Sequence, residues 1–385
     1  MQNDPIAIDT LFTSDEKLIR DTVRRFVDAD VTPLMKDAFE HALFPTPLIP
    51  KLAKLGLLGM SLPEALGGSN ANAVTYGLVC QELERGDSAL RSFVSVQSSL
   101  CMYPIFKHGT AAQHKLFLPN MAAGKLIGCF GLTESDSGSD PNSMKTTAKK
   151  TSGGWILNGS KLWITNAPIA DLAIIWAKTK DGIRGFIVER SFKGFATQEI
   201  THKLSLRASA TGEVILTDCF VPDSHYLPGS EKGLTAALEC LTQARYGIAW
   251  GAIGAAMACY EIALDYAKTR IQFNKPIGAF QLIQKDLVDM FAAITQAQLL
   301  NLHIGRLKEQ GQLNFMMVSL AKMNSCNIAL DVARKARNIL GANGISLDYP
   351  VIRHMVNLES VFTYEGTDNI HHLIIGKQLT GLDAF

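Results

Sequence analysis

The sequence has no C-x-x-C pair. Its seven cysteines, at positions 80, 101, 129, 219, 240, 259 and 326, are scattered and odd in number. Such spacing gives no disulfide framework and fits reduced thiols in a cytoplasm or matrix. The nine histidines lack metal-ligand spacing as well. His371-His372 is the sole adjacent pair, and neighbours on a helix point to different sides, so no metal is expected. No charge sign dominates: 37 Lys and Arg against 36 Asp and Glu leave a net charge of +1, with the two signs interspersed. That pattern gives no basic footprint for nucleic acid or an anionic membrane. Uninterrupted apolar runs stay short of the roughly 18 residues that a membrane span needs. Met1 to Thr10 has neither a basic n-region nor an apolar h-region and is not Arg-rich, so no secretory or transit signal is expected. A cytoplasmic location is favoured, with a mitochondrial matrix after processing as the alternative. There is no G-x-G-x-x-G between a strand and a helix, no P-loop and no G-x-S-x-G. A Rossmann site, a Walker site and a serine-hydrolase elbow at Ser137 or Ser139 are all without support.

What is present divides into three regions, as 385 residues exceed what one core usually serves. Residues 1–125 read as helical. Thr13 and Glu16 form a capping box, followed by Ile19, Val23, Phe26 and Val27 at helical spacing, and Pro33 is expected to end that element. Prolines 45, 47 and 50 leave room for one short helix before Gly56. Asn72 to Arg85 reads as a helix broken by Gly86-Asp87. Ser88 is expected to cap the next helix, and Thr110 another. Residues 126–230 read as a small antiparallel β domain: Leu126 to Leu132, a hydroxyl-rich loop, Met144 to Lys150, and an Asn158-Gly159 hairpin signal between Trp155–Leu157 and Lys161–Thr165. Asp171 to Lys178, Gly185 to Glu189 and Glu213 to Val221 follow. Residues 231–385 read as helices whose number and length suggest a four-helix bundle. The fold class is α+β.

Two residues stand out chemically. Glu365 lies between Tyr364 and Gly366; a carboxyl kept from water has a raised pKa and serves as a general base near neutrality, whereas an ordinary Glu-Gly is a turn. Arg91 falls in the first turn of its helix, three residues after Ser88, where a cation opposes the helix dipole. It is either a surface residue paired with Glu84 or Asp87, or a cation kept for a substrate carboxylate.

Several motifs taken together resemble the acyl-CoA dehydrogenase family along essentially the whole chain. They are Cys129-Phe130-Gly131-Leu132-Thr133-Glu134, Gly138-Ser139-Asp140, Trp163-Ile164-Thr165-Asn166, Arg270-Ile271-Gln272-Phe273 and Tyr364-Glu365-Gly366-Thr367. Within the family the chain looks most like members acting on glutaryl-CoA. That likeness is carried by Glu82 to Arg85, Asp87-Ser88, Arg91-Ser92, Ser95 to Ser99, Ser205 to Gly212 and Ala244 to Gly251.

The resemblance implies FAD as cofactor, with Phe130, Leu132, Thr133, Trp163 and Thr165 along the flavin and Thr367 approaching it. It implies that Arg270, Gln281 and the Ile339-Leu340-Gly341 corner reach the FAD of a neighbouring subunit in a homotetramer. Arg270 also reads as a helix-end cation satisfying the dipole. By the same resemblance Glu365 is the catalytic base, and the Glu365 and Gly366 N–H groups bind the thioester oxygen. Arg91, Ser92 and Ser95 hold a distal carboxylate, with Glu84 and Tyr364 as polar partners that mark decarboxylating members. Ser139 and Arg245 contact acyl-CoA, although Arg245 also reads as a bundle-surface charge. Electrons pass to electron-transfer flavoprotein. The alternatives are a dehydrogenase of monocarboxylic short or branched acyl-CoA, a non-decarboxylating glutaryl-CoA enzyme, and a flavin-less scaffold on the same fold.

Overall fold

A computed structural model describes residues 5–384. Residues 1–4, part of the stretch read for targeting signals, and residue 385 lie outside the described residues. Helix α1 (Ser14–Phe26) begins at the expected capping box: Glu16 N donates to the Thr13 hydroxyl, and Thr13 N donates to the Glu16 carboxylate at 2.9 Å. Pro33 does not end this element. A π-helical segment, Val27–Val31, carries the chain directly into α2 (Thr32–Glu40), with Pro33 in its first turn. A helix start has no use for that N–H, so proline is tolerated there. Next come α3 (Leu48–Lys54) and α4 (Ala73–Gly86), the latter capped by the Asn72 side chain. Helix α5 (Ser88–Ser95) is capped by Asp87, whose carboxylate accepts from Ala89 N at 2.7 Å, and not by Ser88. Arg91 therefore lies one position deeper than the sequence suggested. A second π segment, Val96–Met102, leads to α6 (Tyr103–His108) and α7 (Ala111–Ala122). The Thr110–Gln113 capping box of α7 forms as well.

The middle region is one seven-stranded sheet: β1 (Gly128–Gly131), β2 (Thr147–Thr151), β3 (Gly154–Thr165), β4 (Leu172–Thr179), β5 (Gly182–Glu189), β6 (Phe195–Glu199) and β7 (Thr211–Pro222). The strand order is β1-β4-β2-β3-β7-β6, with β5 on β4. Most pairs are antiparallel, as expected, but β1 and β2 both run parallel to β4. Asn158-Gly159 is not a hairpin turn. Strand β3 continues through it with a register shift against β7. Gly159, at φ +142°, lies against Thr146, where a Cβ has no room, and Asn158 is tied to Asp218 on β7 by two hydrogen bonds. The dipeptide serves as a bulge.

Among the described residues the C-terminal region has five α-helices, one more than the four read from the sequence: α8 (Leu234–Thr269), α9 (Gln281–Glu309), α10 (Phe315–Ile339), α11 (Val351–Thr363) and α12 (Asp368–Thr380). A two-stranded hairpin, β8 (Ile271–Gln272) and β9 (Lys275–Pro276), separates α8 from α9. Helix α8 is long and apolar enough to cross a membrane, which short apolar runs did not anticipate, but most of its apolar window is buried in protein. It packs on α4, α9, α10 and α11. Contact with α4 is close because Gly254 faces the Gln81 carbonyl and Gly251 faces Glu84, leaving no space for a Cβ at either position. All seven cysteines are buried and unbridged.

Candidate active site

The turn between α11 and α12 carries the central carboxylate. Glu365 has φ +54° and Gly366 φ +106°. A left-handed non-glycine residue persists only when its surroundings over-determine it. Here four carbonyls of the turn are tied down. Lys322 Nζ, from α10, donates to the carbonyls of Phe362 at 3.0 Å, Tyr364 at 3.1 Å and Gly366 at 2.8 Å. Arg245 Nε, from α8, donates to the Glu365 carbonyl at 2.6 Å. Arg245 is thus buried, not a surface charge. A Cβ on Gly366 would lie 3.1 Å from the Arg245 guanidinium and from the buried His371 ring, so the turn is closed on that side too. The Glu365 and Gly366 N–H groups find no acceptor among the described residues.

Burial pushes the Glu365 carboxyl up to about 7, against the pull of the Arg91, Arg245 and Lys322 charges. Its Oε2 is buried without a hydrogen-bond partner among the described residues. Burial, helped by the Lys322 and Arg245 charges, pushes the neighbouring His371 down to about 3 and keeps it neutral at pH 7.

Arg91 is buried, 1 % exposed, so the surface reading is excluded. Its Nε donates to Glu84 Oε2 at 2.6 Å, its NH2 donates to the Tyr364 hydroxyl, and its guanidinium carbon sits 5.6 Å from the Tyr364 ring centroid. Burial opposes the Arg91 charge, and the Glu84 carboxylate beside it more than restores it. Burial raises Glu84, with Arg91 pulling the other way. Asp87 is committed elsewhere: its Oδ2 accepts from Arg353 and, at 3.1 Å, from Asn357. Ser92 and Ser95 are buried on the same helix as Arg91. Residues from α4, α5, α8, α10 and the α11–α12 turn thus converge on one buried polar cluster. Sequence reasoning found Glu84, Arg91, Arg245, Tyr364 and Glu365 but missed Lys322 and His371. A signal for Lys322 was available, since it interrupts an otherwise small or apolar stripe of Val318, Ser325, Ala329 and Val332 on α10.

Candidate cofactor residues fall into two groups. On the sheet, Leu162 N donates to Thr133 O at 2.9 Å, which brings Thr133 beside the β3 bulge carrying Trp163. Trp163 is 58 % exposed at φ +62°. The Thr133 and Thr165 hydroxyls bond no other described residue. Below them Lys161 donates to Leu132 O at 3.0 Å and to Glu134 at 2.8 Å, while Glu134 accepts the N–H groups of Lys145 and Thr146. An exposed indole flanked by free hydroxyls on a pinned shelf fits a planar polar ring system. Phe130 and Leu132 turn their side chains into the core, so their contribution there is backbone. Thr367 caps α12 through its hydroxyl. Ser139 is exposed in the loop after β1, with no hydrogen bond to the Arg91–Glu365 group. The second group lies at the opposite end of the bundle. Arg270 ends α8, Gln281 begins α9 and Gly341 follows α10, all exposed, with Ile339 and Leu340 buried beside them. From Lys322 to Ile339 along α10 is roughly 25 Å at 1.5 Å per residue.

A buried carboxyl with a pKa raised to about 7, on a turn whose own N–H donors are unpaired among the described residues, is suited to removing a weakly acidic proton from carbon. It places the molecule among enzymes that act on carbon acids with the help of a bound cofactor. Family comparison makes the class specific. The N-terminal, middle and C-terminal domain models of acyl-CoA dehydrogenase match residues 13–125, 129–219 and 231–380. The chain belongs to the acyl-CoA dehydrogenase family. It is 38 % identical to an acyl-CoA dehydrogenase of Bacillus subtilis, covering 96 % of this chain and 99 % of that one. It is 33 % identical to a short-chain specific acyl-CoA dehydrogenase of Clostridium acetobutylicum, covering 97 % and 100 %. Among solved structures it is similar to a glutaryl-CoA dehydrogenase of Mycobacterium smegmatis, with 50 % identity, TM-score 0.97 and coverage of 99 % and 98 %. A glutaryl-CoA dehydrogenase of the same organism in complex with FADH2 has 47 % identity, TM-score 0.97 and the same coverage. The protein is an FAD-dependent acyl-CoA dehydrogenase.

Proposed function

We propose that the chain oxidises glutaryl-CoA at the Cα–Cβ bond and decarboxylates the product to crotonyl-CoA and CO2. The observation that carries this is the buried Arg91, joined to Glu84 and Tyr364 and packed beside the Glu365 turn. Its NH1 bonds no other described residue and is free to pair with a carboxylate. A buried cation facing a purely apolar acyl tail would be uncompensated by several kcal/mol.

Glu365 takes the α-proton, and the Glu365 and Gly366 N–H groups stabilise the charge that develops on the thioester oxygen. The sheet residues Thr133, Trp163 and Thr165 would hold FAD, which would supply the acceptor for the β-hydrogen. Arg91 keeps the distal carboxylate at the far end of the pocket. In the enoyl product the C–CO2 bond breaks and its electron pair delocalises into the thioester. Protonated Glu365 then returns its proton to the carbon that lost CO2. Glu84 and Tyr364 surround the carboxylate that leaves. The reduced enzyme passes its electrons to electron-transfer flavoprotein, and the active form is a homotetramer.

The experiment is mass spectrometry of products from glutaryl-CoA with an artificial electron acceptor, on the wild type and on Arg91→Leu. Wild type should give crotonyl-CoA. Arg91→Leu should lose about 100-fold or more in kcat/KM for glutaryl-CoA, the loss of charge-assisted hydrogen bonds, and far less for butyryl-CoA. Accumulated glutaconyl-CoA would make it a non-decarboxylating enzyme, and an equal loss on both substrates would leave Arg91 structural.

A further inference from the structure

We propose that Lys322 is a positioning residue whose ammonium locks the α11–α12 turn and aims the Glu365 N–H into the site. The inference rests on the reading of Glu365 as the base. Lys322 is 1 % exposed and belongs to no motif that marks the site. A buried ammonium without partners costs several kcal/mol, and it has three N–H donors to satisfy. All three go to main-chain carbonyls of one turn, those of Phe362, Tyr364 and Gly366. They come from both sides of Glu365, so the clamp spans the residue it serves. None of these bonds is to a carboxylate, unlike those of Arg91, Lys161 or Arg306.

A trans peptide is planar, with its C=O and N–H pointing opposite ways. The Tyr364 carbonyl is drawn toward Lys322, so the N–H of Glu365 must point away from it. Likewise Arg245, by holding the Glu365 carbonyl, turns the Gly366 N–H away from α8. Two cations on two helices thereby set the directions of two adjacent free donors. The same ammonium lies close enough to Glu365 to favour its ionised form. The other charged or titratable groups acting on Glu365 are Arg91 from α5, Arg245 from α8 and the neighbouring Tyr364, while Glu84 from α4 acts on Tyr364, and His371 and Asp368 from α12 interact with Lys322. Lys322 alone among them bonds the main chain on both sides of the base.

The test compares FAD-loaded wild type, Lys322→Met, Lys322→Arg and Glu365→Gln. The readouts are flavin absorbance, Tm, acyl-CoA Kd and deuterium exchange at the substrate α-carbon across pH. Lys322→Met should keep its flavin and bind acyl-CoA within about threefold of wild type. Its exchange should slow about 100-fold, the cost of a misplaced donor, and the acid limb of its profile should move to higher pH, because one cation near the carboxylate is gone. Lys322→Arg keeps the charge but replaces the compact three-donor ammonium with a longer planar fork, so its exchange should fall while its acid limb stays in place. Folded Lys322→Met with exchange within twofold of wild type and an unmoved limb overturns the proposal. Should Lys322→Met fail to fold, wild-type exchange in Lys322→Arg overturns it. Wild-type exchange in Glu365→Gln removes the base reading itself, whatever the Lys322 variants do.

Discussion

Glu365 carries two penalties at once: a left-handed backbone, disfavoured by roughly 1–2 kcal/mol for an L-residue, and a buried carboxyl raised to about 7. The raised value has a sign in catalysis and a sign in stability. The ionised form is the base, so α-proton removal should rise as pH increases through about 7 and disappear below it. For stability, a carboxyl whose folded pKa exceeds its unfolded value favours the folded state below the unfolded pKa, and that contribution is lost as pH rises through the folded pKa. Glu365→Gln should therefore abolish turnover and, at about pH 8, raise stability by an amount on the order of 3 kcal/mol, shrinking toward zero near pH 4.5. Denaturant melts of the two proteins at both pH values check this; an equal difference at both would show that the charge is not the source. The residue scale is also where sequence reading succeeds and fails most plainly. Tyr364-Glu365-Gly366 was legible because an acid beside glycine is a local pattern. Lys322 showed only as a break in an apolar stripe, because its partners lie about 40 residues downstream and α10 alone does not reveal what it faces.

At the scale of elements, the pocket depends on how α5 and α11 are held together. Asp87 caps α5 through Ala89 N, receives Arg353 and Asn357 from α11, and Asn357 Oδ1 in turn accepts from Leu206 N at 2.8 Å, beside the sheet. One carboxylate thus registers the helix bearing Arg91 against the helix leading to Glu365. Asp87→Ala would leave Arg353, 3 % exposed, without its counter-charge, and should cost about 3–5 kcal/mol. Asp87→Asn keeps a cap acceptor and should cost less. Urea midpoints on the flavin-loaded proteins decide it; a loss under about 1 kcal/mol for Asp87→Ala, the value of the cap alone, would show the network to be slack. The elements themselves were partly legible. The capping box at Thr13 and the cap at Thr110 are written within four residues and formed as read, the latter completed to a box by Gln113. Pro33, Asn158-Gly159 and Ser88 misled because each has two local uses, and neighbours choose between them: first turn over stop, bulge over hairpin, first helical residue over cap. Helix α11, between Pro350 and Tyr364-Glu365-Gly366, was not read from the sequence. Only the packed bundle turns Val351, Leu358 and Val361 inward.

At the scale of the whole molecule, the candidate flavin residues are divided between the sheet and the helical bundle. Thr133, Trp163 and Thr165 lie on the sheet, while Arg270, Gln281 and Gly341 occupy the bundle end away from the Glu365 turn. That same end carries exposed apolar side chains. Phe273 is 87 % exposed at the tip of the β8–β9 hairpin, and Ile271 and Leu282 flank it. A long, exposed aromatic on a two-stranded projection is poorly stabilised by its own chain, whose nearest ring is Phe280 at 6.0 Å between centroids. A second copy of the chain, placed to cover Phe273, would bring Arg270 and Gln281 to a neighbouring cofactor, which joins the proposed homotetramer to flavin retention. Phe273→Asp should then weaken both together. Burying a Phe side chain contributes about 2–3 kcal/mol at each contact, and a buried carboxylate reverses its sign. Light scattering should report smaller assemblies for the variant, and the ratio of flavin to protein absorbance should fall in step as the protein is diluted. A variant that dissociates yet keeps its full flavin complement would separate assembly from cofactor binding. It would leave the Arg270 end of the bundle as a surface for contact alone.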